Sequence, residues 1–220
     1  MQYQVLGHSN LNVSTYALGC WSFAGGKYWG EQDESVSIAT VHAALEAGIN
    51  FFDTAEAYET GTSERVLGKA LVGRREQAII ATKVAPNHLA AQEVMAACEQ
   101  SLHHLQTDYI DLYLIHWPNW SVPLTETVGA LEKLQNQGKV RAIGVCNFGV
   151  RDLTKILELH PIVTNQLPYS LLWRVIEREI LPVCLANHVG LMCYSPLAQG
   201  LLTGRYRSAD EVPAGLARTR

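Results

Sequence analysis

The sequence lacks any run of basic residues. Its 220 residues include 17 Lys and Arg against 21 Asp and Glu, which gives a formal net charge of −4 at pH 7 with histidine neutral. Binding to nucleic acid or to an anionic membrane depends on clustered positive charge. The composition argues against both classes of partner, and a small molecule is the expected partner instead.

Cysteine motifs and long apolar segments are also missing. The five cysteines form no CxxC pair, so we expect reduced thiols, no metal site and a cytoplasmic location. No stretch of about 18 apolar residues is present, and residues 1–6 have neither the charged nor the apolar part of a secretion signal. Cys184 and Cys193 are predicted to be small core residues.

Short apolar segments alternate with helical patterns along the chain, which is typical of parallel βα units. The predicted helices include one over residues 34–47 that Gly48 ends, one that Ser63 caps and one that Gly138 ends. Seven strands are predicted, near residues 15–20, 49–53, 78–83, 110–116, 141–146, 162–166 and 190–195.

A dinucleotide-binding motif of the GxGxxG type is absent after the first predicted strand, where residues 19–26 read GCWSFAGG. A doubly wound sheet would carry that motif at this point. Residues 111–115 (DLYLI) are almost entirely apolar, which indicates burial on both faces of the strand. The sequence therefore predicts an α/β fold, a (β/α)8 TIM barrel, whose bottom is plugged by an N-terminal β-hairpin of residues 3–6 and 11–13.

The strand spacing predicts that this barrel is incomplete. Strand ends recur about every 29 residues, and a barrel of eight βα units needs about 250 residues. An eighth strand is then expected beyond Arg220. We expect residues 1–220 to form a single domain with about seven of the eight units, belonging to a C-terminally truncated protein of low stability.

Ionisable side chains end three successive predicted strands: Asp53, Lys83 and His116. Tyr58 follows in the loop after Asp53. Active sites of barrels form at these strand ends. A lysine cation about 4 Å from a phenol, at an effective dielectric constant of about 20, lowers the phenol pKa by about 3 units. We therefore expect Tyr58 to donate a proton, with Asp53 holding Lys83 charged and His116 orienting a carbonyl oxygen.

Several segments carry a family resemblance. Residues 53–71 read DTAEAYETGTSERVLGKAL and residues 102–118 read LHHLQTDYIDLYLIHWP, while residues 139–148 and 190–206 read KVRAIGVCNF and GLMCYSPLAQGLLTGRY. Between about residue 18 and residue 206, these segments resemble the aldo-keto reductase family in that family's order. The resemblance implies reduction of aldehydes or ketones, with Asp53, Tyr58, Lys83 and His116 as the catalytic residues.

The resemblance also implies a nicotinamide cofactor, NADP(H), with NAD(H) as the alternative. Asn147 and Gln166 would bind its carboxamide, and Tyr194 would stack on its ring. The full set implied for cofactor contact is Trp21, Asp53, Asn147, Gln166, Tyr194, Ser195, Pro196, Leu197, Gln199 and Arg205. Cys146 departs from the family, which commonly has Ser at that position.

Aromatic residues follow the first and fourth predicted strands. At active-site strand ends, such residues form an apolar pocket wall. The predicted substrate pocket consists of Trp21, Phe23, Tyr28, Trp29, Trp117 and Trp120. A wall of this kind favours aromatic or aliphatic carbonyls over phosphorylated sugars.

Three alternatives remain open at the level of sequence. In an aldolase-type enzyme, Lys83 would form a Schiff base with the substrate. In a regulatory, redox-sensing subunit, the fold would bind cofactor with little turnover, and a truncated chain could be inactive. The sequence does not identify the natural substrate, the physiological direction or the oligomeric state.

Overall fold

A curled sheet of seven parallel strands forms the frame of the protein. The computed structural model describes residues 1–212, so the last eight residues of the predicted tail lie outside the described residues. The strands are β1 (Tyr3–Val5), β2 (Asn12–Ser14), β3 (Ala17–Gly19), β4 (Phe51–Asp53), β5 (Ile79–Val84), β6 (Ile110–Ile115), β7 (Val140–Cys146), β8 (Thr164–Pro168) and β9 (Gly190–Tyr194). β1 and β2 form the predicted antiparallel hairpin, and β3 to β9 pair in chain order. The prediction of about seven barrel units is confirmed.

Helices connect the strands and cover the outer face of the sheet. They are α1 (Gly26–Trp29), α2 (Glu34–Glu46), α3 (Thr62–Ala70), α4 (Ala91–Leu105), α5 (Leu124–Asn136), α6 (Val150–Leu159) and α7 (Ile180–Ala186). Gly48 and Gly138 follow α2 and α5 with φ of 83° and 74°. A left-handed residue just past a helix is most easily supplied by glycine. Both predicted helix ends are therefore confirmed.

Ser63 does not cap α3, so that prediction is wrong. The helix begins two residues earlier than predicted, after Gly61, whose φ is 80°. The Ser63 hydroxyl is buried, donates to the Cys20 carbonyl oxygen at 2.7 Å and accepts from Thr54 Oγ1 at 2.8 Å. These two bonds tie the loop between β4 and α3 to the end of β3, and that loop carries Tyr58.

Alternate residues of each strand point into the curled sheet. The inward cluster includes Phe51, Ala81, Leu114, Ala142 and Met192. The next inward position along the same strands falls at their C-terminal ends. That position is Asp53 in β4, Lys83 in β5 and Tyr194 in β9. Polar groups therefore form a layer above an apolar core.

The hairpin seals the opposite end of the inward cluster. Leu6, Leu11 and Val13 pack with the lower inward layer, as predicted for a plug. Gly7 lies so close to β8 that an added Cβ would stand 2.1 Å from the Val163 carbonyl oxygen. The fold therefore separates a closed bottom from an upper end where the loops meet.

One of the two cysteines predicted to lie in the core does so. Cys184 is buried, whereas Cys193 is exposed. Cys193 alternates with the inward-facing Met192 on β9, so it points to the outer face of the last strand in the described sheet. The prediction for Cys193 is therefore wrong. A side chain on the outer face of a strand is buried only where a helix or loop covers it, and the residue type does not reveal whether one does.

Candidate active site

A cleft of about 790 Å³ opens at the C-terminal ends of the strands. The four residues expected to act together meet at its base: Asp53, Tyr58 and His116 line it, and Lys83 lies directly beneath them. Three of the four come from the ends of β4, β5 and β6, and Tyr58 comes from the loop after β4. The structure thus brings the predicted group together.

Lys83 is fully buried and makes three polar contacts. Its Nζ donates to Asp53 Oδ1 at 2.8 Å, to the Thr54 carbonyl oxygen at 2.6 Å and to Tyr58 Oη at 3.2 Å. Burial alone would lower the pKa of Lys83, but the charge of Asp53 and the proximity of Tyr58 raise it above its ordinary value. The amine is therefore held as a cation.

The pKa of Tyr58 moves in the direction opposite to the sequence expectation. Burial raises it above its usual value of 10, and the opposing effect of Lys83 is smaller. Asp53 adds to the increase because it offsets much of the lysine charge. The expectation of a lowered pKa is wrong for this arrangement, since it counted the cation and left out desolvation. Tyr58 consequently stays protonated at neutral pH.

His116 is held as a neutral imidazole. Burial and the nearby Lys83 cation lower its pKa from 6.5 to about 3. Its Nδ1 atom is buried without a hydrogen-bond partner among the described residues. Its ring stands nearly perpendicular to that of Tyr58, with 5.8 Å between the ring centroids. The two side chains therefore face the same small volume of the cleft.

A chain of hydrogen bonds crosses the cleft from β9 to β4. Tyr194 Oη donates to Asn147 Oδ1 at 2.9 Å, and Asn147 Nδ2 donates to Cys146 Sγ at 3.1 Å. The Cys146 thiol donates to Gln166 Oε1 at 3.3 Å. Gln166 Nε2 then donates to Asp53 Oδ2 at 2.8 Å. Each side chain in this series of hydrogen bonds is held by its neighbours. The series ends on Asp53, the partner of Lys83.

Local backbone geometry places Asn147 at the cleft. Its φ is 62°, a left-handed value that asparagine tolerates better than most residues. Its backbone N–H donates to the Gln166 carbonyl oxygen at 2.9 Å, and its Nδ2 also donates to the His116 carbonyl oxygen at 3.1 Å. The side chain is thereby tied to both neighbouring strand ends.

A second contact fixes the loop that carries Tyr58. The Glu56 carboxylate accepts from the Ala85 backbone N–H and lies 3.1 Å from His88 Nδ1. Both partners follow β5, the strand of Lys83. The loop is therefore clamped to β5 on one side and, through Ser63, to β3 on the other.

Aromatic rings form one wall of the cleft. Trp21 stacks on Tyr58 with 5.7 Å between ring centroids and 25° between ring planes. Trp21 also contacts the rings of Tyr28 and Trp29 at 5.7 Å and 5.4 Å. These residues and Trp117, four of the six residues of the predicted substrate pocket, line the cleft.

Two predicted pocket residues lie elsewhere. Phe23 is buried in the outer core with Cys20 and Phe52. On a 3-10 turn, the side chain two positions after Trp21 points away from it. Trp120 is 74% exposed and donates from Nε1 to Asp152 Oδ1 at 3.0 Å. The loop after β6 runs outward, and Trp120 lines a separate cavity of about 330 Å³.

The segment after β9 contributes unevenly to the cleft. Ser195 and Gln199 line it, whereas Pro196, Leu197 and Arg205 do not. The turn is built from left-handed residues, with φ of 53° at Ser195, 48° at Ala198 and 55° at Gln199. Turns of this kind point successive backbone N–H groups in related directions.

Six lining residues lay outside the predicted site sets: Gly19, Ser22, Ala57, Glu59, Thr60 and Cys146. Three of them lie within two residues of Tyr58 in the chain, and Ser22 and Cys146 lie beside the predicted residues Trp21 and Asn147. Their adjacency to predicted site residues was the available signal. It was weak, because the direction of a loop side chain depends on backbone angles that the sequence does not show.

The comparisons with known proteins agree with this geometry. The model of the aldo/keto reductase family matches residues 16–219. The chain belongs to the aldo/keto reductase family. The aldo-keto reductase YhdN of Bacillus subtilis (strain 168) is 40% identical over 215 residues, covering 93% of this chain and 65% of that protein. The chain thus spans slightly less than two thirds of YhdN.

Two further aldo/keto reductases are similar to the chain. The NADH-specific methylglyoxal reductase of Escherichia coli (strain K12) is 36% identical over 233 residues, covering 96% of this chain and 71% of that enzyme. A crystal structure of an aldo/keto reductase from Klebsiella pneumoniae with NADP and acetate superposes with a TM-score of 0.80. It is 38% identical and the match covers 90% of this chain and 68% of that one.

Two features are missing from the part of this aldo/keto reductase that the structure describes. None of the helices within residues 1–212 is long and apolar enough to cross a membrane. In the same part of the chain, no three His, Cys, Asp or Glu side chains are grouped as they would be around a metal ion.

Proposed function

We propose that this chain reduces aldehyde or ketone carbonyls to alcohols with a nicotinamide cofactor. The observation that carries the proposal is the position of Lys83 Nζ, 2.8 Å from Asp53 Oδ1 and 3.2 Å from Tyr58 Oη at the base of the cleft. A buried cation beside a protonated phenol stabilises negative charge that develops on the phenol as the proton leaves. Tyr58 is the proposed proton donor.

The raised pKa of Tyr58 suits this role. A donor must hold its proton until negative charge develops on the substrate oxygen. Burial keeps the phenol protonated, and the Lys83 cation 3.2 Å away then stabilises the phenolate that remains. Asp53 acts through Lys83 as a positioning residue, because it holds the cation in place without reaching the phenol.

His116 is proposed to orient the substrate oxygen. Its pKa of about 3 leaves the ring neutral at pH 7, so one ring nitrogen carries a hydrogen and the other accepts. A neutral ring can donate one hydrogen bond to a carbonyl without competing with Tyr58 as a proton source. The perpendicular packing of the two rings supports a shared target for both groups.

The cleft residues fit a nicotinamide. A carboxamide needs donors and acceptors, and the observed bonds use only one of the two N–H groups of Gln166 Nε2. Asn147 lies beside Gln166, and the half-buried ring of Tyr194 lies at the same wall of the cleft. When bound, a reduced nicotinamide supplies the hydride that the carbonyl carbon accepts. Trp21, Ser195, Pro196, Leu197, Gln199 and Arg205 complete the proposed contact set, with Asp53 beneath it.

NADP(H) is the proposed cofactor, and NAD(H) is the alternative. The Klebsiella pneumoniae structure contains NADP, which supports the first. The Escherichia coli relative is NADH-specific, which keeps the second open. Isothermal titration with NADPH and NADH decides between them, and equal dissociation constants would remove the preference.

The geometry argues against the aldolase-type alternative. A Schiff base requires a neutral lysine amine. Lys83 instead has a raised pKa and contacts Asp53 and the Thr54 carbonyl oxygen. Borohydride treatment in the presence of a ketone should leave Lys83 unmodified, as read by mass spectrometry.

The direct test of the proposed function is a carbonyl screen. The chain is mixed with NADPH or NADH and with aliphatic, aromatic and phosphorylated carbonyl compounds, and the loss of absorbance of the reduced cofactor is followed. We expect multiple turnovers with unphosphorylated aldehydes, because aromatic rings wall the cleft. A single turnover with every compound would instead favour a redox-sensing role.

A further inference from the structure

The turn directly after Tyr58 has an unusual backbone. Glu59 and Thr60 have φ of 45° and 49°, and Gly61 follows with 80°. Left-handed conformations cost non-glycine residues free energy, and such strain concentrates at functional sites. The first residue of this strained turn, Glu59, lines the mouth of the cleft.

The Glu59 carboxylate rests on a glycine of the facing loop. A Cβ added to Gly26 would lie 2.5 Å from Glu59 Oε1, so any other residue there would move the Glu59 side chain out of this position. Gly26 itself has φ of 68°, a second reason for glycine there. The strained turn therefore starts the Glu59 side chain at the cleft, and the absence of a side chain at Gly26 leaves space for its carboxylate.

No cation of the cleft neutralises Glu59. None of the residues found to line the cleft is a lysine or an arginine. Lys83 lies beneath the floor and is paired with Asp53. Lys27 follows Gly26 but is exposed and does not line the cleft, and no ion pair found within residues 1–212 involves Glu59. Among the residues found to line the cleft, Glu59 is therefore a carboxylate without a cationic partner, whereas Asp53 is paired with Lys83.

We infer that Glu59 is a specificity-determining residue that selects against carbonyl substrates carrying a negative charge away from the carbonyl group. Glu59 and Tyr58 line the same cleft, so a substrate whose carbonyl reaches Tyr58 can extend its remaining atoms towards Glu59. Neutral substrates pass this carboxylate freely, and a distal cation is attracted by it. The inference rests on the proposed reductase function, whose substrate class it narrows.

Three benzaldehydes with para substituents of different charge test this: trimethylammonio, tert-butyl and carboxylate. Two charges about 8 Å apart in a medium of effective dielectric constant about 40 change a rate about fivefold. For Glu59→Gln, we expect the carboxylate-to-tert-butyl ratio of kcat/KM to rise about fivefold relative to wild type. The trimethylammonio-to-tert-butyl ratio should fall by a similar factor.

Glu76→Gln is the matched control. Glu76 is an exposed glutamate in the turn before β5, at the opposite end of the strands from the cleft, and its removal changes the net charge by the same amount. Its two substrate ratios should equal those of the wild type. Raising the ionic strength from about 0.01 M to about 1 M shortens the screening length from about 30 Å to about 3 Å. In wild type, this should bring the carboxylate-to-tert-butyl ratio towards the Glu59→Gln value.

The outcomes separate this inference from the proposed function. If Glu59→Gln leaves both ratios unchanged, or if Glu76→Gln shifts them equally, the role of Glu59 is wrong although the chain is a reductase. If the wild-type chain reduces none of the three aldehydes with either cofactor, the proposed function itself fails. A shift of the anionic and cationic ratios in opposite directions for Glu59→Gln alone supports the inference.

Discussion

Gln166 Nε2 donates to Asp53 Oδ2 at 2.8 Å, while the other oxygen of the same carboxylate accepts from Lys83. The carboxylate is therefore oriented from two sides. Gln166 belongs to the wall proposed to bind the cofactor, and Asp53 to the group proposed to move the proton. This hydrogen bond links the side chains of the two halves of the cleft directly.

Replacing Gln166 with leucine should weaken cofactor binding about fivefold or more. The change removes an amide proposed to contact the carboxamide, and hydrogen bonds of this kind contribute about 1 kcal/mol or more. Isothermal titration with NADPH provides the measurement. Gln137→Leu, at an exposed position after α5, is the control and should bind as wild type does. Unchanged affinity in Gln166→Leu would argue against the proposed contact.

Replacing Tyr58 with phenylalanine should lower kcat by about 10²–10⁴-fold and leave the cofactor dissociation constant within about twofold of the wild-type value. The hydroxyl supplies the proton as charge develops on oxygen, so its loss affects the chemical step. Steady-state kinetics and cofactor titration measure the two effects. Tyr16→Phe, at an exposed tyrosine, serves as the control. Retention of more than about a tenth of wild-type turnover would show that another group donates the proton.

His116 should make the protein less stable as the pH falls below 6.5. Its folded pKa of about 3 lies below the unfolded value, so only the unfolded chain takes up a proton between those limits. The stability contributed by the neutral ring is present above pH 6.5 and is lost towards pH 3. Between pH 7 and pH 5 this amounts to about 2 kcal/mol in the free energy of unfolding.

Urea unfolding of wild type and His116→Gln at pH 7 and pH 5 measures this effect. The variant should lose less stability than the wild type over the same interval. His8→Gln removes an exposed histidine and should behave as the wild type does. An equal loss in all three proteins would assign the acid sensitivity to other groups.

Alkylation at pH 8 should modify Cys193 well before Cys146. Cys193 is exposed, whereas Cys146 is buried and burial raises the pKa of its thiol to about 12. The thiolate is the reactive form, so Cys146 should be labelled only when the chain unfolds. Mass spectrometry after a timed pulse of iodoacetamide distinguishes the two sites. Comparable rates in the native protein would show that the Cys146–Gln166 contact opens readily.

The strand ends and the meeting of Asp53, Tyr58, Lys83 and His116 were predictable from the sequence. In parallel strands, ionisable residues at successive C-terminal ends meet at one edge, whatever the details of the loops. Apolar runs and helix-ending glycines such as Gly48 located those ends within a few residues. These features depend on local pattern, which a sequence displays directly.

Other features depend on quantities that a sequence does not display. The pKa of Tyr58 follows from how much of the phenol is buried, and that depends on Trp21 stacking over it. Phe23 and Trp120 carry aromatic rings at plausible positions, yet loop geometry turns them away from the cleft. Ser63 has a residue type typical of a helix cap, and a longer-range contact with the Cys20 carbonyl oxygen took precedence.

The two walls of the cleft come from consecutive stretches of the chain. Asp53 to His116 supply one wall, and Cys146 to Gln199 supply most of the other. Contacts between residues close in sequence form at lower entropic cost than distant ones. The pairing of β4, β5 and β6 can therefore assemble the phenol, lysine and imidazole early in folding. The bond from Gln166 to Asp53 spans 113 residues, so this link between the two walls is expected to form after the shorter-range contact of Asn147 with the His116 carbonyl oxygen.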